Sequence, residues 1–329
     1  MELIGSPRAA RRLRVERAVI IHADAEWLPR IAEGRIDLFQ KLEAKARSEG
    51  WPMLLVAAGS REAVELDRRS EDIRLICADA PGYAPRTLHI HPSYIWGFWH
   101  LDELGLRAHS SLRFGGFCAE QVDPAKARYF FDGVSGYMLR ENISGRPQEV
   151  RVHAPLQGAR ATVFCQEIED QPGEPLHYLT TEEMIRTCAE HDRAALIYVK
   201  IHPATTKPTR RAIMDITRDY PNVKLSEASV HDLIEASDLV VTQTSGVGFE
   251  ALMQRCAVVT CGKTDYWQAT LTARRVSDLR EALSFGPEAM ADFPFERFFY
   301  WYLGQRCLEP AKDGVETRAW ARIRDKAML

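Results

Sequence analysis

The sequence has no Cys-x-x-Cys pair, no apolar run long enough to cross a bilayer, and no marked excess of either charge. Its seven cysteines, at positions 77, 118, 165, 188, 256, 261 and 307, are scattered and odd in number. That pattern argues against a disulfide framework and a structural zinc site, and fits a reducing compartment. Lys and Arg total 43 against 46 Asp and Glu, a net charge of −3, so no global basic field exists to hold duplex nucleic acid by its phosphates. A membrane span needs roughly 18–20 apolar residues, and the N-terminal arginines precede no apolar core. Neither a span nor a signal peptide is expected, and the reading is a soluble, cytoplasmic protein. Residues 1–17 carry five Arg and two Glu, a local excess suited to peripheral contact with the anionic inner face of a membrane. The plainer expectation is a frayed, solvated arm. Internal repeats, a Walker A loop and a Gly-x-Gly-x-x-Gly turn are all missing.

What is present is ordinary globular composition, with 46% hydrophobic and 27% charged residues. At 329 residues, a prior of roughly 150 per domain gives two domains. Apolar, β-branched runs at Ala18–Ile21, Pro52–Ala57 and Ile73–Cys77 alternate with helical patterns, the clearest over Ile36–Ala46 and closed by Gly50. The second half repeats the theme at 162–166, 196–203, 222–228, 238–243 and 257–262. The predicted fold is therefore α/β, with two Rossmann-like, doubly wound domains. The expected boundaries are residues 1–150 for an acceptor-side domain, 151–285 for a donor domain, and 286–329 for C-terminal helices packing across the junction. Residues 89–145, the most aromatic and irregular stretch, fit no regular repeat.

Ligands of open α/β sheets bind beyond the carboxyl ends of strands, and three strand ends in the second half carry unusual residues. The run LIYVKIHP delivers Lys200, His202 and Pro203, where a His fixed by the following Pro can donate to a phosphate oxygen or a leaving group. The run VVTQTSGVGFEAL passes into Thr244, Ser245, Gly246 and Gly248 before a helix. Ser245 is a natural N-cap, the glycines admit close backbone approach, and the helix start suits an anion. Glu250, one turn in, could reach a ribose hydroxyl. The run TVFCQEIEDQPGEP delivers Gln166 and then Glu167, Glu169 and Asp170, carboxylates able to serve as base or nucleophile. Taken singly, each has a plain structural reading: a satisfied histidine, a capped helix, a solvated acidic loop.

Taken together, Gln-x-x-x-Asp (Gln166 to Asp170), Lys-x-His-Pro (Lys200 to Pro203) and Thr-Ser-x-x-Gly-Phe-Glu-Ala-Leu (Thr244 to Leu252) resemble the bacterial capsule polysaccharide biosynthesis proteins of β-Kdo transferase type. The resemblance spans roughly residues 160–275, and Lys263, Thr264 and Asp265 stand where that family has an apolar-aromatic stretch. It implies a GT-B-like, metal-independent glycosyltransferase with no cofactor, using a CMP-activated ulosonic acid such as CMP-Kdo and a glycan or glycolipid acceptor. It places His202 and Ser245 at the CMP phosphate and Glu250 near the ribose. Asp170 is the expected catalytic carboxylate, positioned by Gln166, with Glu169 as the alternative.

The aromatic stretch, with His91, Trp96, Trp99 and Asp102, could stack on sugar faces at the acceptor side, or form an apolar junction with buried polar handles. Competing readings are a CDP-alcohol polyol-phosphate transferase, a CMP-sialic acid transferase, and a non-catalytic glycan-binding subunit of capsule assembly.

Overall fold

Strands covered by helices on both faces read as continuous apolar runs, and the three such runs of the first half form the centre of one sheet. The computed structural model describes residues 1–78, 82–152, 154–171 and 173–327. Two compact units result. Unit 1 comprises residues 1–93, 97–111 and 303–329, and unit 2 residues 94–96 and 112–302.

In unit 1 the chain runs β1 (Glu2–Leu3), α1 (Pro7–Arg12), β2 (Val19–Ala23), α2 (Trp27–Ala32), α3 (Asp37–Ser48), β3 (Met53–Ala57), α4 (Arg61–Leu66), β4 (Ile73–Cys77), β5 (Thr87–Pro92) and β6 (Trp99–Asp102). The sheet order is β1-β3-β2-β4-β5-β6, parallel except for the antiparallel β5–β6 pair. A C-terminal helix, Val315–Lys326, joins the same core through Val315, Ala319, Trp320 and Ile323.

Unit 2 begins its regular structure with α5 (Pro124–Arg140), started by Pro124 and the Asp123 cap. It continues with β7 (Ala159–Phe164), α6 (Thr181–His191), β8 (Ile197–Lys200), α7 (Lys207–Arg218), β9 (Val223–Leu225), α8 (Val230–Glu235), β10 (Ser237–Thr242), α9 (Gly246–Ala251), β11 (Ala257–Thr260), β12 (Leu271–Thr272), α10 (Val276–Met290) and α11 (Phe295–Phe299). All six strands are parallel, in the order β12-β11-β10-β7-β8-β9. The order reverses between β7 and β10, the topological switch point at which such sheets bind ligands.

Two α/β units with parallel-dominated sheets are thus as the sequence predicts, but the boundaries differ. Residues 112–150, α5 included, belong to unit 2, because Phe131 and its neighbours pack on Phe299 of that unit. The aromatic run near the C-terminus is not one element: it forms α11 and then a π-helical segment, Tyr300–Arg306. Residues through Tyr302 belong to unit 2 and those from Leu303 to unit 1. No helix among the described residues is long and apolar enough to cross a membrane, and all seven cysteines are free.

The first seventeen residues are not a frayed arm. Glu2 and Leu3 pair with Leu54 and Leu55 of β3, and Ser6 caps α1 through the Ala9 amide, with Pro7 at the first helical position. Ile4, 2% exposed, and Ala10 pack with Ile20, Leu54, Val56, Ala63 and Leu66. Truncating a buried Ile to Ala costs about 2–4 kcal/mol, so Ile4→Ala is expected to lower the melting temperature by several degrees. Deletion of residues 2–13 is expected to lower it further; an unchanged melting temperature in the deletion would put the arm back in solvent.

Candidate active site at the carboxyl edge of the second sheet

Strands β8, β7 and β10 are consecutive neighbours, with Lys200, Phe164 and Thr242 side by side in register at their last positions. Adjacent strands lie about 4.8 Å apart, so the three residue groups just beyond these ends emerge along an edge of about 10 Å. The Lys-x-His-Pro, Gln-x-x-x-Asp and Thr-Ser-x-x-Gly segments are those three groups.

Gln166 closes the gap between two of them. Its Oε1 accepts from the Thr244 amide at 2.7 Å and its Nε2 donates to Thr244 Oγ1 at 3.3 Å, a two-point clamp across the switch point. The expected role of Gln166, positioning Asp170, is therefore replaced by positioning the start of α9.

The acidic segment separates into three fates. Glu167 accepts from the Thr206 amide (2.8 Å) and from the hydroxyls of Thr206 and Thr209 (2.6 Å each), tying β7 to the start of α7; these bonds lower its pKa. Glu169 accepts from the Thr181 amide (2.5 Å) and from Gln243 Nε2 (2.9 Å), anchoring α6. Asp170 is exposed and has neither hydrogen bond nor ion pair among the described residues. Pro172, farther along this loop, lies outside the described residues.

At the end of β8, His202 Nδ1 accepts from the Ala204 amide at 3.2 Å, which leaves Nε2 as the protonated nitrogen of a neutral ring. Burial, and then the charge of Arg146, push its pKa down, so the ring is a neutral donor near pH 7 and not the imidazolium that a phosphate contact would suggest. Lys200 is committed elsewhere: its ammonium donates to the carbonyls of Glu227 (3.0 Å) and Ala228 (2.7 Å). Pro203 is exposed beside His202.

Ser245 caps α9 as expected, its Oγ accepting from the Val247 amide at 3.2 Å. Both glycines are packed against tyrosine rings. A Cβ on Gly248 would lie 2.7 Å from the Tyr266 hydroxyl, and one on Gly246 would lie 3.2 Å from Tyr94. Tyr266, which sequence reasoning passed over, donates to the Ser245 carbonyl at 2.6 Å and so fixes the turn from behind. Behind it, buried Asp265 accepts from Tyr94 (2.8 Å) and Tyr302 (2.7 Å) around Phe249. The signal for this support was the TDYW run after β11.

Glu250 is 2% exposed. Its Oε1 accepts from Ser144 Oγ (2.9 Å) and the Gly145 amide (3.2 Å), while buried Oε2 has no partner. The carboxylate expected at a ribose is thus enclosed behind a turn of the chain, and burial pushes its pKa from 4.5 up to about 7.

Of the residues assigned to an acceptor side, Trp99 is buried against Trp27 and Phe39 in unit 1. His91 is half-buried, its ring against Trp27. Buried Asp102 closes its own loop, accepting from the amides of Leu104, Gly105 and Ser111 and the hydroxyls of Ser110 and Ser111. These three do structural work because the strands that carry them are covered on both faces. Trp96, in unit 2, is 66% exposed. A cavity of about 310 Å³ in unit 2 opens at the opposite, amino ends of β10 and β11, among Ser237, Asp238, Cys256 and Ala257; none of the motif residues lines it. Among the described residues no cluster of His, Cys, Asp and Glu could hold a metal ion.

Residues 177–288 match the family model described as capsule polysaccharide biosynthesis protein. The match takes in Lys200, His202, Pro203 and the whole Thr244–Glu250 segment, and leaves out Gln166, Glu169 and Asp170. Over that third of the chain the protein carries the family's sequence signature. Among solved structures, the β-Kdo 2,4 transferase of Thermosulfurimonas dismutans KpsC is 17% identical with a TM-score of 0.49, over 82% of this chain and 89% of that one. The β-Kdo 2,7 transferase of the same organism's KpsC is 16% identical with a TM-score of 0.49, over 80% and 88%. The S. aureus MnaA-UDP structure is 12% identical with a TM-score of 0.40, over 95% and 97%. Comparison with curated proteins returns no match.

A carboxyl group whose pKa is raised on folding contributes its stability in full below the unfolded pKa and loses it as pH rises through the folded one. For Glu250 that window runs from 4.5 to about 7, and the loss amounts to about 3 kcal/mol at 1.36 kcal/mol per pH unit. Glu250→Gln keeps an acceptor for Ser144 and Gly145 without the charge. Its melting temperature is expected to match that of the wild type near pH 4.5 and exceed it by several degrees at pH 8; parallel curves would show that burial does not raise the pKa of Glu250.

Proposed function

We propose that unit 2 is the nucleotide-binding unit of a glycosyltransferase of capsule or surface polysaccharide biosynthesis, and that its donor is a CMP-activated ulosonic acid of the Kdo kind. The observation that carries this reading is the alignment of three motif-bearing strand ends across the switch point, held in place by Gln166. Supporting it are the family match over residues 177–288 and the resemblance of Gln166–Asp170 to the same family.

In this reading the neutral His202 ring donates its Nε2–H to the donor phosphate, and the turn at Ser245 and Gly246 borders the nucleotide. Lys200, Thr244 and Glu250 act through the backbone that they hold, and Trp96 is open to a glycan acceptor. Asp170 takes the proton of the attacking acceptor hydroxyl. The bond from the anomeric carbon to the phosphate oxygen breaks with its electron pair remaining on CMP, while the acceptor oxygen bonds the same carbon. Contact with the inner membrane face would bring a lipid-linked acceptor to the site.

Asp170 is preferred over Glu169 because Glu169 already satisfies the start of α6 and Gln243, whereas Asp170 has nothing to release. General-base catalysis contributes roughly 10²-fold or more. Asp170→Asn is therefore expected to lower transfer from CMP-Kdo by that factor while leaving CMP affinity unchanged. Glu169→Gln is expected to act mainly on stability. CMP release from CMP-Kdo, CMP-sialic acid and CDP-glycerol sets the donor, and absence of turnover with all three would make the chain a binding subunit. A glycosyl adduct trapped on Asp170 would make it the nucleophile. Full transfer by Asp170→Asn would remove this loop from the chemistry.

A further inference from the structure

The segment 142–149, between α5 and β7, lies outside the residues matched by the family model and carries none of the three motifs. It is nonetheless fixed at both ends. Asn142, in the left-handed conformation (φ 52°), accepts at Oδ1 from Ser229 Oγ at 2.6 Å, and the Ile143 carbonyl bonds His231 Nε2 at 2.8 Å. Ser144 and Gly145 donate to Glu250, and Gln148 Oε1 accepts from the Val230 amide at 3.0 Å. These contacts bracket Arg146 on α8 and α9, and Pro147 disfavours helical backbone at Arg146 itself. The Arg146 side chain is exposed and has no hydrogen bond or ion pair among the described residues. Its positive charge bears on the His202 ring, adding to burial in lowering that ring's pKa.

The edge thus pairs a neutral N–H donor with an uncommitted cation, while the other cation, Lys200, is spent on backbone carbonyls. Of the carboxylates nearby, Glu227 lies by Arg210 at 3.6 Å, and Glu149 bears on Lys200. We propose that Arg146 is the cationic ligand of the donor phosphate, presented beside α9 by the turn that Glu250 anchors. The proposal rests on the donor-site reading above. As the glycosidic bond breaks, the phosphate passes from one negative charge toward two, and a guanidinium N–H bonded to it strengthens as that charge develops. This gives the buried Glu250 a purpose: it keeps residues 144–146 in place.

The test is calorimetric binding of CMP and of cytidine, which lacks the phosphate, to the full chain and to its Arg146→Ala and Arg146→Lys variants. Arg146→Ala is expected to weaken CMP by about tenfold or more, as loss of a charge-assisted contact does, to leave cytidine unchanged, and to flatten the salt dependence of CMP affinity. Arg146→Lys is expected to recover part of the loss. Equal CMP affinity in the wild type and Arg146→Ala would overturn the assignment, as would parallel weakening of CMP and cytidine. A wild-type chain that binds neither would instead overturn the donor-site reading itself.

Discussion

The register of three parallel strands governs the rest of unit 2. Because Lys200, Phe164 and Thr242 end β8, β7 and β10 at the same level, residues more than thirty positions apart in sequence emerge side by side. A slip of one residue in any of these pairings would turn that strand's side chains to the opposite face. Apolar burial on both faces fixes the register, and Gln166 fixes the segments beyond the strand ends by spanning from the end of β7 to Thr244. The clamp suits the switch point, since helices leave in opposite directions there and no continuous backbone ladder closes the crevice.

Within that frame the polar side chains divide between those that build the edge and those left over. Glu167 and Glu169 supply acceptors for the amides of Thr206 and Thr181, groups that would otherwise start helices without partners. Lys200 satisfies two carbonyls of the loop before α8. Ser245 is spent on its own cap. Among the described residues, Asp170, the Arg146 side chain and His202 Nε2 have no hydrogen-bond partner, and they supply one acceptor and two donors. That is the complement the proposed transfer would need, with a hydroxyl nucleophile and a phosphate leaving group.

Much of this was legible in the sequence. The central strands were plain because covered parallel strands are uninterrupted apolar runs, and Ile73–Cys77 matches its predicted bounds. The three strand-end segments were visible because polar residues directly after such runs stand out. Less legible were β5 and β6, whose buried faces carry His89, His100 and Asp102 and so lack the alternation that marks a strand. The two-residue β1 is too short for any periodicity, and a boundary inside an aromatic stretch leaves no Pro/Gly linker to mark it. Gln166 was expected to position Asp170, and Lys200 and Glu250 to meet the donor; in the structure the hydrogen bonds of all three go to neighbouring residues of the chain. Sequence shows that a polar residue ends a strand; it does not show whether a neighbouring amide or carbonyl reaches it first.

Glu250 shows why that distinction has chemical weight. Burying a carboxylate with one oxygen unmatched costs free energy, and an apolar residue at this position on α9 would avoid the cost. What the side chain supplies is a fixed acceptor oxygen for two donors on a turn with no regular secondary structure of its own. The same logic runs through Asp265, which holds two tyrosines around Phe249 while neighbouring Tyr266 holds the Ser245 carbonyl. Two buried acids thus bracket α9, one bonding the segment before β7 and the other the aromatic core behind the helix. An edge built in this way exchanges some stability for fixed positions of a few loop atoms. In the proposed reading, that exchange suits chemistry that depends on where a phosphate and a hydroxyl are placed.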